Sequence, residues 1–156
     1  MKYIGIDIGT NGALACLDEG SLFYMLLKED WISYLRKNKD CLVAIEDLHS
    51  VYGASAKSNF QFGSNNGYVI GVLDALKIKF VKVQPKAWQK EMWKGISPIV
   101  KNGKVETKAT SLEAARMIYP TEAFLASKRS SKAHDGIVDA VLLAHYCKIY
   151  DCSLRH

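Results

Sequence analysis

The sequence lacks the features that mark several common protein classes. No apolar run approaches the ~20 residues that a membrane-spanning helix needs. The four cysteines form no Cys-x-x-Cys pair and no Cys/His cluster, which disfavours a zinc site and is typical of small core residues in a reducing compartment. The absence of repeats and low-complexity tracts excludes a solenoid and a disordered chain. A strand-like N-terminus without a signal-peptide pattern predicts a soluble cytoplasmic protein.

The composition fits a globular domain with a polyanionic partner. A length of 156 residues predicts one domain spanning positions 1–156, and a hydrophobic content of 49% suffices for a core of normal size. The formal net charge is +5. This charge weakly favours nucleic acid as the partner, because nucleic-acid affinity rests largely on Lys and Arg against phosphate.

Apolar periodicity and turn residues predict ten elements in the order β-β-β-α-β-α-β-α-α-α. Three short strands joined by tight turns form an antiparallel meander. A helix capped by Asp30 leads to a fourth strand at 41–46, which we expect to lie parallel to the first. Loops are predicted at 50–57, 94–104 and 121–133, and the later elements are a helix at 58–76, a strand at 78–83 and helices after Pro85, at 107–119 and at 134–150. The fold class is therefore α/β: an RNase H-like mixed five-stranded sheet with helices on both faces.

Carboxylates stand where a buried element would normally exclude them. Asp7 lies in the apolar run of the first strand, and Glu46 ends the fourth. A charge in such a place is costly unless it is paired or binds metal, although Asp7 could simply cap the following turn. Asp135 and Asp139 are four residues apart and so share one face of the last helix. The helix N-terminus explains Asp135 but not Asp139, which lies within an apolar stretch.

If the strand-end acids Asp7 and Glu46 converge in space with the helix acids Asp135 and Asp139, the four carboxylates predict a metal centre. Four carboxylates on one site would repel each other, and hard divalent cations such as Mg²⁺ or Mn²⁺ prefer oxygen ligands. Two ions ~3.5–4 Å apart would clamp an in-line displacement at phosphorus. The predicted chemistry is phosphodiester hydrolysis, with Asp7, Glu46, Asp135 and Asp139 as both metal-binding and catalytic residues.

Four segments resemble the RuvC-type Holliday-junction resolvases. "IGIDIGTNGALA" resembles the "GIDPG" opening of that family, with Ile8 where many members have Pro. The segments "AIEDLHSVYGASAKSNFQFGSNNGYVIGVLDAL", "VQPKAWQKEMW" and "HDGIVDAVLLAHY" resemble its catalytic Glu and following helix, the stretch after the next strand, and its closing acidic helix. The likeness covers roughly 130 residues in the family's order and is nearest to the phage-encoded branch.

The resemblance implies a homodimer that nicks four-way DNA junctions symmetrically with Mg²⁺, in recombination and DNA repair. It carries over Asp7, Glu46 and Asp139 as catalytic acids. The fourth acid is Asp135, with His134 as a competitor. In a phage-encoded protein the location would be the cytoplasm of the bacterial host, and forks or other branched DNA would be further substrates.

Two functional positions of the family have no clear counterpart in the sequence. Bacterial members have a catalytic Lys near the region of Trp88, where this chain has Gln89, so Lys86 or Lys90 is a possible catalytic residue. Some members wedge an aromatic side chain into the junction after the catalytic Glu, and His49 or Tyr52 stands nearby. The resemblance therefore predicts no sequence preference at the cleavage point.

Several basic and small residues are further candidates for contacts. The patch 128–132 precedes the acidic helix and is expected to contact phosphate. Gly63, Gly67 and Gly71 mark one bare helix face, which could be tight intrachain packing or part of the dimer interface. The predicted DNA-binding residues are His49, Tyr52, Lys57, Lys101, Lys104, Lys108, Lys128, Arg129 and Lys132.

Three rival functions start from the same features. "GIDIGT" also opens the actin-like and sugar-kinase ATPases, but the chain is short for two such domains and lacks their second phosphate motif. An RNase H-like nuclease acting on RNA shares the predicted fold and carboxylates. A junction-binding module without catalysis would gain nothing from buried acids facing phosphate.

Overall fold

The fold is seen in a computed structural model that describes residues 1–47 and 54–154, with side chains described through Asp151 and not in the 152–154 segment. The large sheet contains β1 (Lys2–Asp7), β2 (Ala13–Asp18), β3 (Ser21–Leu26), β4 (Cys41–Glu46) and β5 (Lys79–Val83). A small hairpin contains β6 (Val100–Lys101) and β7 (Lys104–Val105). The helices are α1 (Trp31–Lys37), α2 (Ala56–Ala75), α3 (Pro85–Met92), α4 (Thr107–Ile118) and α5 (Asp135–Leu154).

The five-stranded sheet has the order β3-β2-β1-β4-β5. β1 pairs antiparallel with β2 and parallel with β4, and β4 pairs parallel with β5. Ile6 lies opposite Ile45 in the β1–β4 register, so the next residue on each strand reaches the same carboxyl edge. The predicted mixed sheet and the parallel placement of the first and fourth strands are confirmed.

Alternation along β1 divides the core into two layers. Ile4 and Ile6 face one layer, formed with side chains of α1 and α2. Gly5 faces the other, where its Cα meets the backbone of α5. Because successive strand residues point to opposite faces, Asp7 points to the same side as Gly5, toward α5. Helices therefore cover both faces of the sheet, as predicted.

Local signals explain most element boundaries. The carboxylate of Asp30 accepts a hydrogen bond from the backbone N–H of Ser33 at 3.1 Å, which is the predicted cap of α1. Pro85 occupies the first turn of α3, also as predicted. Cys16, Cys41 and Cys147 are buried and unpaired, which agrees with their prediction as core residues.

The prediction of a loop at 94–104 was wrong in part. The segment contains β6 and enters β7, which pair through Val100 with Val105 and Lys101 with Lys104. Asn102 and Gly103 both have positive φ, 51° and 74°, which is the turn that closes a two-residue hairpin. Strands of two residues are too short to show an alternating pattern, so apolar periodicity could not reveal them.

The glycine face of α2 makes no tight contact with the residues that the structure describes. A Cβ built on Gly63, Gly67 or Gly71 would meet nothing within 4 Å, so close packing inside the chain does not explain the spacing. Within the described part of the chain, no helix is both long and apolar enough to cross a membrane.

Candidate active site

Three elements bring the predicted acids together at the carboxyl edge of β1 and β4. Asp7 ends β1, Glu46 ends β4, and Asp139 lies one turn into α5. The negative charges of Asp7, Glu46 and Asp135 all act on Asp139, which shows that the four side chains share one electrostatic environment. The structure therefore brings the four predicted acids within electrostatic range of one another, and their role as one metal centre stays a prediction.

Burial dominates the electrostatics of Asp7. It raises the pKa of Asp7 from 3.8 to about 6, and the charge of Glu46 adds to the rise. The backbone N–H of Gly9 donates to Asp7 Oδ1 at 3.2 Å and opposes the shift, as do the positive charges of His134 and Lys108. The donated hydrogen bond and the electrostatic influence of His134 and Lys108 thus compensate only part of the cost of removing this carboxylate from water.

The pKa of Asp139 is shifted further than that of Asp7. Burial raises its pKa from 3.8 to about 7, and the charges of Asp7, Glu46 and Asp135 raise it in the same direction. A hydrogen bond with the Ser111 hydroxyl lowers it. Ser111 is itself buried and accepts from the indole N–H of Trp93 at 3.3 Å, so a relay of hydrogen bonds from α3 and α4 holds the acid on α5.

Glu46 is oriented by a tryptophan. The indole Nε1 of Trp88 donates to Glu46 Oε1 at 2.7 Å, and Trp88 is 1% exposed. Burial raises the pKa of Glu46, while this hydrogen bond lowers it. The sequence analysis assigned no contact to Trp88, which only marked the region of the family's catalytic Lys. A buried indole N–H needs an acceptor, and that requirement was the available signal.

Replacing Trp88 with Phe is expected to lower cleavage roughly 10-fold, because a hydrogen bond to a charged group is worth about 1.5–3 kcal/mol and its loss frees Glu46 to rotate. The pKa of Glu46 should rise, so the acidic limb of the pH–rate profile should move to higher pH. A reduced rate with an unmoved acidic limb would contradict the role of Trp88 in orienting Glu46.

The N-terminus of α5 carries the remaining predicted ligands. Lys108 Nζ lies 2.8 Å from Asp135 Oδ2, and both side chains are largely exposed. His134 precedes the helix, and its Nδ1 accepts from the backbone N–H of Ile137 at 3.3 Å, which makes it a helix cap. Asp135 is therefore held by a cation and His134 by the backbone, both at the margin of the site.

Gly136 is a close contact that the sequence did not reveal. A Cβ at this position would overlap the backbone oxygen of Asn11 and lie 2.9 Å from Asp7 Oδ2. The absence of a side chain lets α5 approach the turn after β1 and brings Asp139 next to Asp7. The sequence shows Gly136 only as a glycine near the start of a helix. It does not indicate that this glycine packs against the backbone of the turn after β1.

Gly136→Ala is expected to destabilise the fold, whereas replacing glycine with alanine in a helix usually stabilises it. In an open helix this change stabilises by up to about 1 kcal/mol. Here the overlap with Asn11 and Asp7 should destabilise the fold by about 1–3 kcal/mol and lower cleavage strongly. Urea unfolding would measure the first effect. An unchanged or raised free energy of unfolding would show that α5 does not pack this closely against the turn.

The raised pKa values predict how stability depends on pH. In the metal-free protein, Asp7 and Asp139 bind protons up to about pH 6 and 7, whereas both titrate near 3.8 when unfolded. The folded state therefore holds more protons between about pH 4 and 7, and stability must fall as pH rises through that window, by about 1.4 kcal/mol per unit of pKa shift.

Thermal unfolding at pH 5, 6, 7 and 8 in the presence of a chelator would measure this slope. Asp139→Asn should flatten it, and Mg²⁺ added at pH 8 should restore stability because ligands that bind only the folded state stabilise it. A slope that is the same in wild type and Asp139→Asn would refute the assignment.

The residue types at this edge suit a hard divalent cation, since the donors are carboxylate oxygens. Across residues 1–47 and 54–154, however, no group of three or more His, Cys, Asp or Glu side chains lies close enough together to hold a metal ion. Repulsion among carboxylates without a cation opposes their closer approach. The donor chemistry therefore fits a hard divalent cation.

Of the other predicted contact residues, those that the structure describes are exposed, and only Lys108 is placed against one of the acids. Lys86 and Lys90 are exposed on α3, while Lys108 is the basic residue that the structure places against Asp135. His49 and Tyr52 lie outside the described residues. The remaining candidates are exposed, namely Lys57, Lys101, Lys104, Lys128, Arg129 and Lys132.

Comparisons with known proteins identify the fold. The chain is similar to Thermus thermophilus RuvC in complex with a Holliday junction substrate, with a TM-score of 0.60 and 15% identity over 98% of this chain and 96% of that one. It is also similar to a second T. thermophilus RuvC structure, with a TM-score of 0.53 and 18% identity over 96% of this chain and 97% of that one. No family model and no curated protein matches the sequence. The chain therefore has the RuvC-type, RNase H-like fold that its sequence motifs predicted.

Proposed function

We propose that this protein is a structure-selective DNA endonuclease that resolves Holliday junctions and also cuts other branched DNA. The observation that carries the proposal is the convergence of Asp7, Glu46 and Asp139 at one sheet edge, in a chain that shares its fold along almost its whole length with RuvC. Burial and mutual repulsion make these acids costly to the folded protein, and this cost is expected where a site is built to bind cations.

The acids have distinct tasks in this proposal. Asp7, Glu46 and Asp139 would hold two divalent cations, Mg²⁺ with Mn²⁺ as a substitute, and Asp135 would be the fourth ligand, leaving Lys108 to pair with a phosphate. Bound cations supply the positive charge that activates water and stabilises the leaving 3′ oxygen. Trp88 and Ser111 fix the orientation of the carboxylates, and the basic side chains around the edge hold the DNA backbone.

A homodimer follows from the need to nick two strands. Phe60 is 77% exposed on α2 and shares a helix face with Gly63, Gly67 and Gly71, whose Cα atoms are open to a neighbour. An exposed aromatic beside bare backbone suits a second copy of the same face. A dimer formed through this face would have two active sites in one assembly, as symmetric cleavage requires.

Cleavage of a synthetic four-way junction in Mg²⁺ tests the proposal. Forked, linear and RNA-containing duplexes run in parallel would distinguish junction resolution from general branch cleavage and from an RNA-directed nuclease. Paired, symmetric nicks are expected on the junction. Tight binding with no cutting in Mg²⁺ or Mn²⁺ would reject the enzyme and leave a junction-binding protein, and preferential cutting of the RNA strand would favour the RNA nuclease.

A further inference from the structure

A cavity of about 350 Å³ opens beside the active site, and it was not indicated by the sequence motifs. It lies at the carboxyl end of β1, between the turn at residues 9–12, the start of α1 and one flank of α2. Ile8, Trp31 and Val69 form its apolar part, and these belong to the core layer on the side of the sheet away from Asp7. We refer to this cavity as the aromatic pocket.

The aromatic pocket and the carboxylates share a wall. Gly9 lines the pocket, and its N–H donates to Asp7 Oδ1. His134 lines it too, with its Cε1 3.3 Å from a Cβ built on Gly136, which itself would lie 2.9 Å from Asp7 Oδ2. A chain of nucleotides whose phosphate lies on the carboxylates therefore has its neighbouring units within reach of the pocket.

The lining of the pocket suits a flat, heteroaromatic ligand. The Tyr68 ring is 58% exposed and meets the buried Trp31 edge-to-face, with ring centroids 6.0 Å apart at 82°. An aromatic face left in solvent next to apolar side chains is a stacking platform for a base. The Asn65 amide, whose oxygen accepts from Gln61 Nε2 at 3.0 Å, and the Thr10 hydroxyl add polar groups that can meet the edge of a base.

The position of the pocket identifies the source of the base. Gly9 and His134 connect the pocket to the carboxylate edge, the net charge of +5 on the whole chain suits a DNA backbone, and a pocket of this size is ample for one planar ring system. We infer that the aromatic pocket holds one unstacked base of the DNA strand whose backbone lies on the carboxylates. This inference rests on the proposed action on DNA and adds a specificity-determining site to it.

The test combines base removal in the DNA with ring removal in the protein. Single abasic sites are placed at successive positions on either side of the cleavage point of a four-way junction, and Kd is measured in an Asp7→Asn background that leaves the strands intact. Tyr68→Ala removes the ring, Tyr68→Phe keeps it, and Met117→Ala is a control for loss of an exposed apolar side chain on α4, away from the pocket.

One abasic position is expected to weaken binding by about 5- to 100-fold in protein with an intact Tyr68, the range for one base stacked on an aromatic ring. Tyr68→Ala should weaken binding to the intact junction by a similar factor and show no further loss at that position, whereas Tyr68→Phe and Met117→Ala should keep the full effect. Coupling of this kind is expected when the base and the ring touch, because distant and independent changes are additive.

Other outcomes overturn the inference, and they separate it from the proposed function. A flat abasic scan with tight junction binding rejects the pocket while the nuclease proposal stands. Equal losses for Tyr68→Ala on every substrate indicate a general structural effect and also reject it. Competition by free deoxynucleoside monophosphates that is lost in Tyr68→Ala would assign the pocket to a free nucleotide instead. Failure to bind any DNA rejects both proposals.

Discussion

Asp7→Asn is expected to lower the rate of junction cleavage at least about 1,000-fold, or about 4 kcal/mol in activation free energy. The amide keeps the shape of Asp7 and can still accept from the Gly9 N–H, but it removes one negative charge from the proposed cation site. Burial already raises the pKa of this carboxylate, so the neutral side chain should leave the metal-free protein at least as stable at pH 8 as the wild type. Cleavage rates with saturating Mg²⁺, together with Kd for the junction, would measure the effect.

Asp18→Asn is the matched control for Asp7→Asn. Asp18 also ends a strand of the sheet, but β2 runs antiparallel to β1, so it lies at the opposite edge, paired with Lys2 at 3.2 Å. Its replacement should leave cleavage within about twofold, because exposed ion pairs contribute little. If Asp7→Asn cut junctions at the wild-type rate, the carboxyl edge could not be the catalytic site. If it lost DNA binding as well, Asp7 would have to act in holding DNA.

Gly5→Ala is expected to have the largest effect on stability, destabilising the fold by about 3 kcal/mol or more. A Cβ on Gly5 would overlap the backbone oxygen of Ala140 and the backbone nitrogen of Ala144, and would lie 2.8 Å from Leu143 Cβ. Backbone atoms in a helix cannot turn aside as a flexible side chain can, so α5 as a whole would have to move away from β1. Because α5 carries Asp139, the surviving folded protein should also lose cleavage.

Gly63→Ala is the control that separates the contact of Gly5 with α5 from the general effect on stability of replacing a glycine with alanine. Gly63 lies within α2, and a Cβ there would meet nothing within 4 Å. In the single chain, without a second copy on this face, the change should therefore be neutral or stabilise the fold by up to about 1 kcal/mol, the usual gain of alanine over glycine in a helix. Urea unfolding of the two variants beside the wild type would measure the difference. A Gly5→Ala protein as stable as Gly63→Ala would show that α5 and β1 are further apart than described.

Sequence patterns were most informative where the signal is local. The alternation and turn residues of the first 27 positions predicted the meander, and Asp30 and Pro85 predicted the starts of two helices through capping and a fixed φ. The hairpin of β6 and β7 was missed because strands of two residues are too short to show an alternation of apolar and polar side chains. Charged residues inside apolar runs identified the acids, since burial of a charge needs a specific compensation whatever the fold.

By itself, the sequence determined the order of the longer elements and the mixed sheet, and it singled out Asp7, Glu46, Asp135 and Asp139 as candidate acids, because each follows from periodicity or from the cost of burying charge. Only the tertiary structure decided what surrounds those acids. Three of the acids contact residues more than 25 positions away in the sequence: Glu46 contacts Trp88, Asp139 contacts Ser111 and Asp135 contacts Lys108. The aromatic pocket likewise exists only once the turn after β1, α1 and α2 meet. Such contacts depend on how layers pack, and chain-local patterns carry no information about packing across layers.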